Sequence, residues 1–191
     1  MPNRKASAVW EGGLKGGKGT FKGSSDSING QYSFSSRFEE GTGSNPEELM
    51  AAAHAACFSM ALSAQLEGNG TPPKRVETTA VCTVEKSGPG FKITTMKLTT
   101  RATVPNVDAA KFQELASAAV EGCPVSQALK GNVNIVLDAA LTERTAAGGG
   151  RKARSLRGCE LNRRRRAVPP SARRRPPSAL RQPIEQQRVP A

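Results

Sequence analysis

The order of sequence patterns predicts an α+β fold of two layers, with mostly antiparallel sheet set against a long central helix. Three observations lead there. Short strand patterns broken by glycine-rich turns fill the first 38 residues, a capped alanine-rich run opens at Asn45, and two long alternating runs joined by SGPG follow it. The elements read β-β-β-α-β-β-α-β.

The first strands are expected over Ala6 to Trp10, Thr20 to Lys22 and Tyr32 to Phe38, with turns through EGGLKGGKG and Asp26 to Gly30. In the third, Tyr32 and Phe34 alternate with serines, the period of a half-buried strand. Arg37 then lies at a strand end, where a solvated charge is the plain reading, but it also sits just before the helix start. The GKG stretch lacks the GxxxxGK[ST] spacing, which argues against a phosphate loop.

Asn45 caps the central helix, Pro46 suits its first position, and Glu47 and Glu48 sit where the helix dipole favours negative charge. The helix is expected from Pro46 to about Glu67, ending at Gly68-Asn69-Gly70. Its face of Ala51, Ala52, Ala53, Ala55 and Ala56 is small enough for another backbone to approach closely, and His54 and Cys57 are its reactive groups.

Arg75 to Lys86 and Phe91 to Val104 read as an antiparallel hairpin. Val76, Thr78, Ala80, Cys82 and Val84 are read as not sharing one simple face, whereas Ile93, Thr95 and Lys97 oppose Thr94, Met96 and Leu98. Asp108 caps a second helix with Phe112, Leu115, Ala116, Ala119 and Val120 on one face. Gly122 ends it, Cys123-Pro124 starts a short helical turn through Leu129, and a last strand runs from Asn132 to Leu141.

Charge divides the chain at the same point. Residues 1–142 carry 14 Lys and Arg against 13 Asp and Glu, a net of +1; residues 143–191 carry 14 against 3, a net of +11. The first part gives no electrostatic reason to expect nucleic acid. Residues 143–191, rich in Arg, Pro, Ala and Gly, are expected to be a disordered tail. A shifted reading frame or read-through of GC-rich DNA would give such a composition, and so would a basic arm for nucleic acid or acidic surfaces.

No signal-like apolar run opens the chain, and no 18-residue apolar stretch is expected, so the reading is a cytoplasmic protein without a membrane span. Cysteines 57, 82, 123 and 159 form no CxxC pair, and the chain has one histidine, which argues against a zinc site or other metal. In a reducing compartment these thiols are structural, catalytic or redox-active.

Cys57 on its own reads as a small core residue. Cys123, past a helix end and before Pro124, is placed where a helix N-terminus lowers a thiol pKa and brings the sulfur to a surface. A reversible disulfide between them depends on a fold that brings them together. His54, three residues before Cys57, is either a packed histidine or the base of a cysteine hydrolase, although no oxyanion hole accompanies it.

The segments RFEEGTGSNPEELMAAAHAACFSMAL and GCPVSQAL resemble the OsmC/Ohr family, proteins of osmotic induction and organic hydroperoxide resistance, and AAHAACFSMAL resembles the OsmC branch. The resemblance covers about residues 3–141, with AVWEG near the start, and the tail has no counterpart in it. It implies an OsmC-like fold, an intertwined homodimer, no cofactor, and a thiol-dependent peroxidase acting on organic hydroperoxides and hydrogen peroxide. Cys57 falls on the family's peroxidatic cysteine, Cys123 on its resolving cysteine, and Arg37 and Glu47 on the residues that activate the thiol. Cys82 and Cys159 match no functional position, and Cys82 is read as strand packing.

Chemistry makes sense of that set. Peroxide is attacked by a thiolate, which a cation must stabilise on an apolar helix, and Glu47 would hold the Arg37 guanidinium by a bidentate pair. Glu47 and Cys57 are ten residues apart on one helix, hence about 15 Å along its axis, and cannot touch within a chain. Two copies crossing antiparallel on their alanine faces would bring them together, so an obligate homodimer is expected. The dithiol that resets the disulfide would be a lipoyl protein or a thioredoxin-like protein. The competing reading is a redox sensor, or a nucleic-acid-binding protein working through the tail, without turnover.

Overall fold

The structure, a computed structural model, describes residues 3–142. The expectations for residues 143–191, from disorder and reading-frame origin to a nucleic-acid arm, lie outside the described residues, as does Cys159.

Ten elements form. Strands β1 (Ala6–Glu11), β2 (Lys18–Gly23) and β3 (Asn29–Ser33) make one antiparallel sheet in that order. A short helix α1 (Phe34–Phe38) and the long α2 (Pro46–Gly68) follow. Strands β4 (Arg75–Ser87) and β5 (Gly90–Thr103) pair antiparallel, and helices α3 (Ala109–Gly122) and α4 (Pro124–Leu129) lead to β6 (Asn134–Leu141). The fold is α+β, with α2 and α3 layered on the second sheet.

Two strands differ from expectation. The third ends at Ser33, and Phe34–Phe38 is helical, so Arg37 projects from a helix and not from a strand end. The reason is local. Ser33 Oγ accepts from the Ser36 amide at 3.1 Å while Ser36 Oγ accepts from the Ser33 amide at 2.9 Å, a reciprocal cap that competes with the sheet ladder. Phe34 and Phe38, two strand residues by parity, become helix neighbours with ring centroids 5.0 Å apart. The last strand starts at Asn134 and lies parallel to β5, because the helical crossover through α3 and α4 returns the chain to the same end of the sheet.

The hairpin also corrects the face assignment in β4. Val76, Thr78, Ala80, Cys82 and Val84 are all half-buried between exposed neighbours, one face of a regular strand packed on α2. A bulge opposite Thr83 and Val84 leaves Thr94 unpaired in β5 and resets the alternation, so Met96, Leu98, Thr100 and Ala102 point inward beyond it.

Helix α2 is capped as read: Asn45 Oδ1 accepts from the Glu48 amide at 2.8 Å. Residues 49–66 carry no charge, and α2 is long and apolar enough to cross a membrane by length and composition, contrary to the expectation that no such stretch exists. Half of that apolarity has a core to serve. Phe58, Leu62 and Leu66, spaced four apart, are fully buried with Leu98, Phe112, Ala116 and Ala119. The other half is uncovered: Ala52, Ala53 and Ala56 are exposed and Met60 is 75% exposed.

The first sheet is equally open. Gly19 leaves room for the Tyr32 and Trp10 rings, which pack 5.4 Å apart across it. Yet every residue of β1 is exposed, and among the described residues the sheet packs extensively on no element beyond α1.

Candidate active site

Two clusters form at opposite ends of the alanine stretch. The first begins where α1 delivers Arg37 and the first turn of α2 delivers Glu47. Arg37 Nη2 donates to Glu47 Oε1 at 2.6 Å, and Arg37 Nε lies 3.1 and 3.2 Å from the two carboxylate oxygens. Glu47 keeps only 13% of its side chain exposed and Arg37 39%, so the pair is held at the mouth of a cavity and not free on the surface.

That cavity, about 410 Å³, is walled by Phe38, Cys82, Val84 and Phe91 beside the ion pair. The Arg37 guanidinium stands 5.0 Å from the Phe38 ring centroid, and Phe38 packs on Phe91 at 5.2 Å. Cys82, packed on the inner face of β4 as read, also lines this cavity. Burial first, and then the Glu47 charge, push its thiol up, which keeps it protonated.

The second cluster joins α2 to the start of α4. Cys57 packs against the buried cluster that contains Cys123, near enough for each sulfur to influence the other's ionisation, and both are free thiols. Cys123 is fully buried, so the expectation that the helix start brings it to a surface does not hold: α2 and α3 close over it. Burial raises the Cys57 thiol, the neighbouring Cys123 sulfur adds to that, and the Val125 amide only partly opposes it. Burial also works to raise Cys123, but the Ser126 amide, the Ser126 hydroxyl, the Cys57 thiol and the Val125 amide outweigh it and bring it down. Within one chain Cys123 is thus the more readily ionised of the two thiols.

His54 does not pair with Cys57 as a hydrolase base would require. It is fully buried, and its Nε2 lies 2.8 Å from Ser126 Oγ. Burial lowers its pKa and keeps it neutral.

The chain therefore brings Cys57 to Cys123 and Arg37 to Glu47, and keeps the two pairs apart along α2. Neither Arg37 nor Glu47 contributes to the Cys57 environment. Sequence reasoning missed Ser126, Phe38, Phe91 and the placement of Cys82. Ser126 was legible as the third residue after Cys123 in GCPVS, on the same face of the new turn. Phe91 gave no signal, because the hairpin carries it to the cavity.

A helix-borne thiol facing a second thiol at the start of a short helix, within an α+β layer, is the arrangement of a dithiol protein. The OsmC-like protein family matches residues 39–138. Peroxiredoxin OsmC of Escherichia coli strain K12 is 46% identical over 134 residues, covering 70% of this chain and 94% of the relative. Organic hydroperoxide resistance protein OhrB of Bacillus subtilis strain 168 is 40% identical over 99 residues, 51% of this chain and 70% of the relative. The crystal structure of B. subtilis OhrB superposes with a TM-score of 0.54 at 29% identity, over 71% of this chain and 98% of that one. The chain belongs to the OsmC family.

Proposed function

We propose that the protein is a cysteine-based peroxidase that reduces organic hydroperoxides and hydrogen peroxide, in defence against oxidative and osmotic stress in the cytoplasm. The single observation that carries this reading is that Cys57 of α2 packs against the buried cluster holding Cys123, at the start of α4. The relatives' names, a peroxiredoxin and a hydroperoxide resistance protein, support it.

The Cys57 thiolate attacks the terminal peroxide oxygen. An S–O bond forms, the O–O bond breaks, and the alkoxide leaves as alcohol after taking up a proton; Cys57 becomes the sulfenic acid. Cys123 then displaces hydroxide from the Cys57 sulfur, closing a disulfide and releasing water. A dithiol, of a lipoyl or thioredoxin-like protein, reduces the disulfide by exchange.

Cys57 must ionise for the first step, yet within one chain its proton is held and the cation is about 15 Å away along the helix. The reading therefore includes a homodimer in which α2 crosses its partner copy through Ala52, Ala53 and Ala56. Arg37 of one copy, fixed by Glu47, then supplies positive charge to Cys57 of the other. The uncovered first sheet supports this, as does a groove of about 1000 Å³ lined by Ala6, Ala8, Phe21, Ile28 and Leu49.

Cumene hydroperoxide consumption with a dithiol, followed with the full chain and with Cys57→Ser, tests the reading. Turnover by the full chain and none by the variant is expected, together with a mass loss of two hydrogens on stoichiometric oxidation. A Cys57→Ser protein that still consumes peroxide would overturn it.

A further inference from the structure

His54 is the only histidine in the chain and sits fully buried on a helix otherwise lined with alanine. A buried imidazole is costly unless bonded, and among the described residues this one has a single partner, Ser126 Oγ at 2.8 Å. His54 Nδ1 is buried with none among them. A proton on Nδ1 would be an orphaned donor, so the proton belongs on Nε2, where it is given to Ser126 Oγ.

That choice fixes the next hydrogen. With a lone pair of Ser126 Oγ engaged by His54, the serine hydroxyl is left to donate onward, and Cys123, the residue that opens α4 three positions earlier and is buried beside it, carries the neighbouring acceptor sulfur. Ser126 lies in the first turn of α4, three residues past Cys123, whereas His54 comes from α2. Absent the histidine, a helical serine hydroxyl turns to a main-chain carbonyl of the preceding turn. We propose that His54 is a positioning residue for disulfide closure: acting through Ser126, it aims the serine hydroxyl at the Cys123 sulfur and readies that sulfur to attack oxidised Cys57.

The proposal rests on the peroxidase reading above and concerns its second step. In that step the Cys123 sulfur pair forms the S–S bond, the S–O bond of Cys57 breaks, and the departing hydroxide combines with the proton Cys123 has given up. Among the described residues of one chain, no arginine or lysine contributes to the Cys123 environment. Neutral donors of the chain itself favour its charge instead: the amides of Val125 and Ser126 and the aimed hydroxyl. Hydrogen bonding also dulls a thiolate somewhat, but nucleophilicity falls less steeply than the ionised fraction rises, so a buried resolving thiol gains on balance.

Rapid oxidation of the reduced full chain by cumene hydroperoxide, quenched with dimedone and read by intact mass, separates sulfenic acid formation from closure. His54→Leu and Ser126→Ala are expected to slow closure about tenfold, the loss of one charge-assisted hydrogen bond, so that trapped Cys57 sulfenic acid persists. His54→Gln, whose amide N–H can take the place of Nε2, should close near the wild-type rate. Closure at the wild-type rate in Ser126→Ala, or a Gln variant as slow as the Leu variant, would overturn the proposal; the second result would mean that His54 only fills space. The Cys123→Ser protein, which cannot close, reports on the underlying reading. If it yields no trapped sulfenic acid at Cys57, the peroxidase reading fails and this proposal with it.

Discussion

The two halves of α2 make opposite bargains with the rest of the chain. From Phe58 to Leu66 the helix presents bulky residues four apart, and β5, α3 and β6 bury them completely. From Ala51 to Cys57 it presents alanines, and three of the five face outward. The first half stabilises the fold with contacts its own chain provides. In the proposed function the second half holds the attacking thiol, Cys57, yet lacks the cation that would activate it, because Arg37 is anchored near the helix start. A core can be complete in one chain while a site is not.

The largest effect that would sharpen this contrast is expected in the closed half. Phe58→Ala should lower unfolding free energy by about 3–5 kcal/mol in denaturant titration, through lost burial plus an unfilled cavity. A cost below about 1 kcal/mol would mean that the closed half is not the core.

Next comes the open half. Ala56→Glu places a charge on an exposed position of α2 and should leave the fold of the chain intact. It is expected to dissociate the dimer in sedimentation and lower peroxide turnover about a hundredfold, the scale of a misplaced catalytic group. A variant that remains monomeric and fully active would break the comparison, since the site would then need no second copy.

Arg37→Met should raise the Cys57 thiol and slow peroxide attack at neutral pH, about tenfold if the thiol pKa rises by about one. The sign follows from the thiolate being the nucleophile: a raised thiol moves the rise in rate to higher pH. In the dissociated Ala56→Glu chain, NMR titration of isotope-labelled cysteines should likewise show Cys123 ionising at lower pH than Cys57, because the Ser126 and Val125 donors favour the Cys123 charge while burial opposes that of Cys57. The reverse order of ionisation would show that Cys57 needs no partner to ionise.

The smallest effect belongs to Cys82. Held protonated beside Glu47, it takes no chemical part, and Cys82→Ala should leave turnover unchanged and move stability by less than about 1 kcal/mol.

Much of this was legible in the chain itself. Asn45-Pro46, the alanine run and Gly68 specify α2, Asp108 caps α3 with its side chain 2.9 Å from the Lys111 amide, and SGPG turns the hairpin, all by interactions spanning a few residues. Period and capping are local, so a sequence carries them openly. The cysteine motifs also identified the family. At Ser33 and Ser36, three residues apart, a reciprocal cap competed with an alternating strand pattern and prevailed, giving the helix that bears Arg37. Two features were decided only by the tertiary structure. The crossover through α3 and α4 made β6 parallel. And His54 met Ser126 across 72 positions, leaving it with Ser126 and not Cys57 as its partner. Each depends on which distant groups close together first and shut out water, and on which of two competing hydrogen bonds survives that closure.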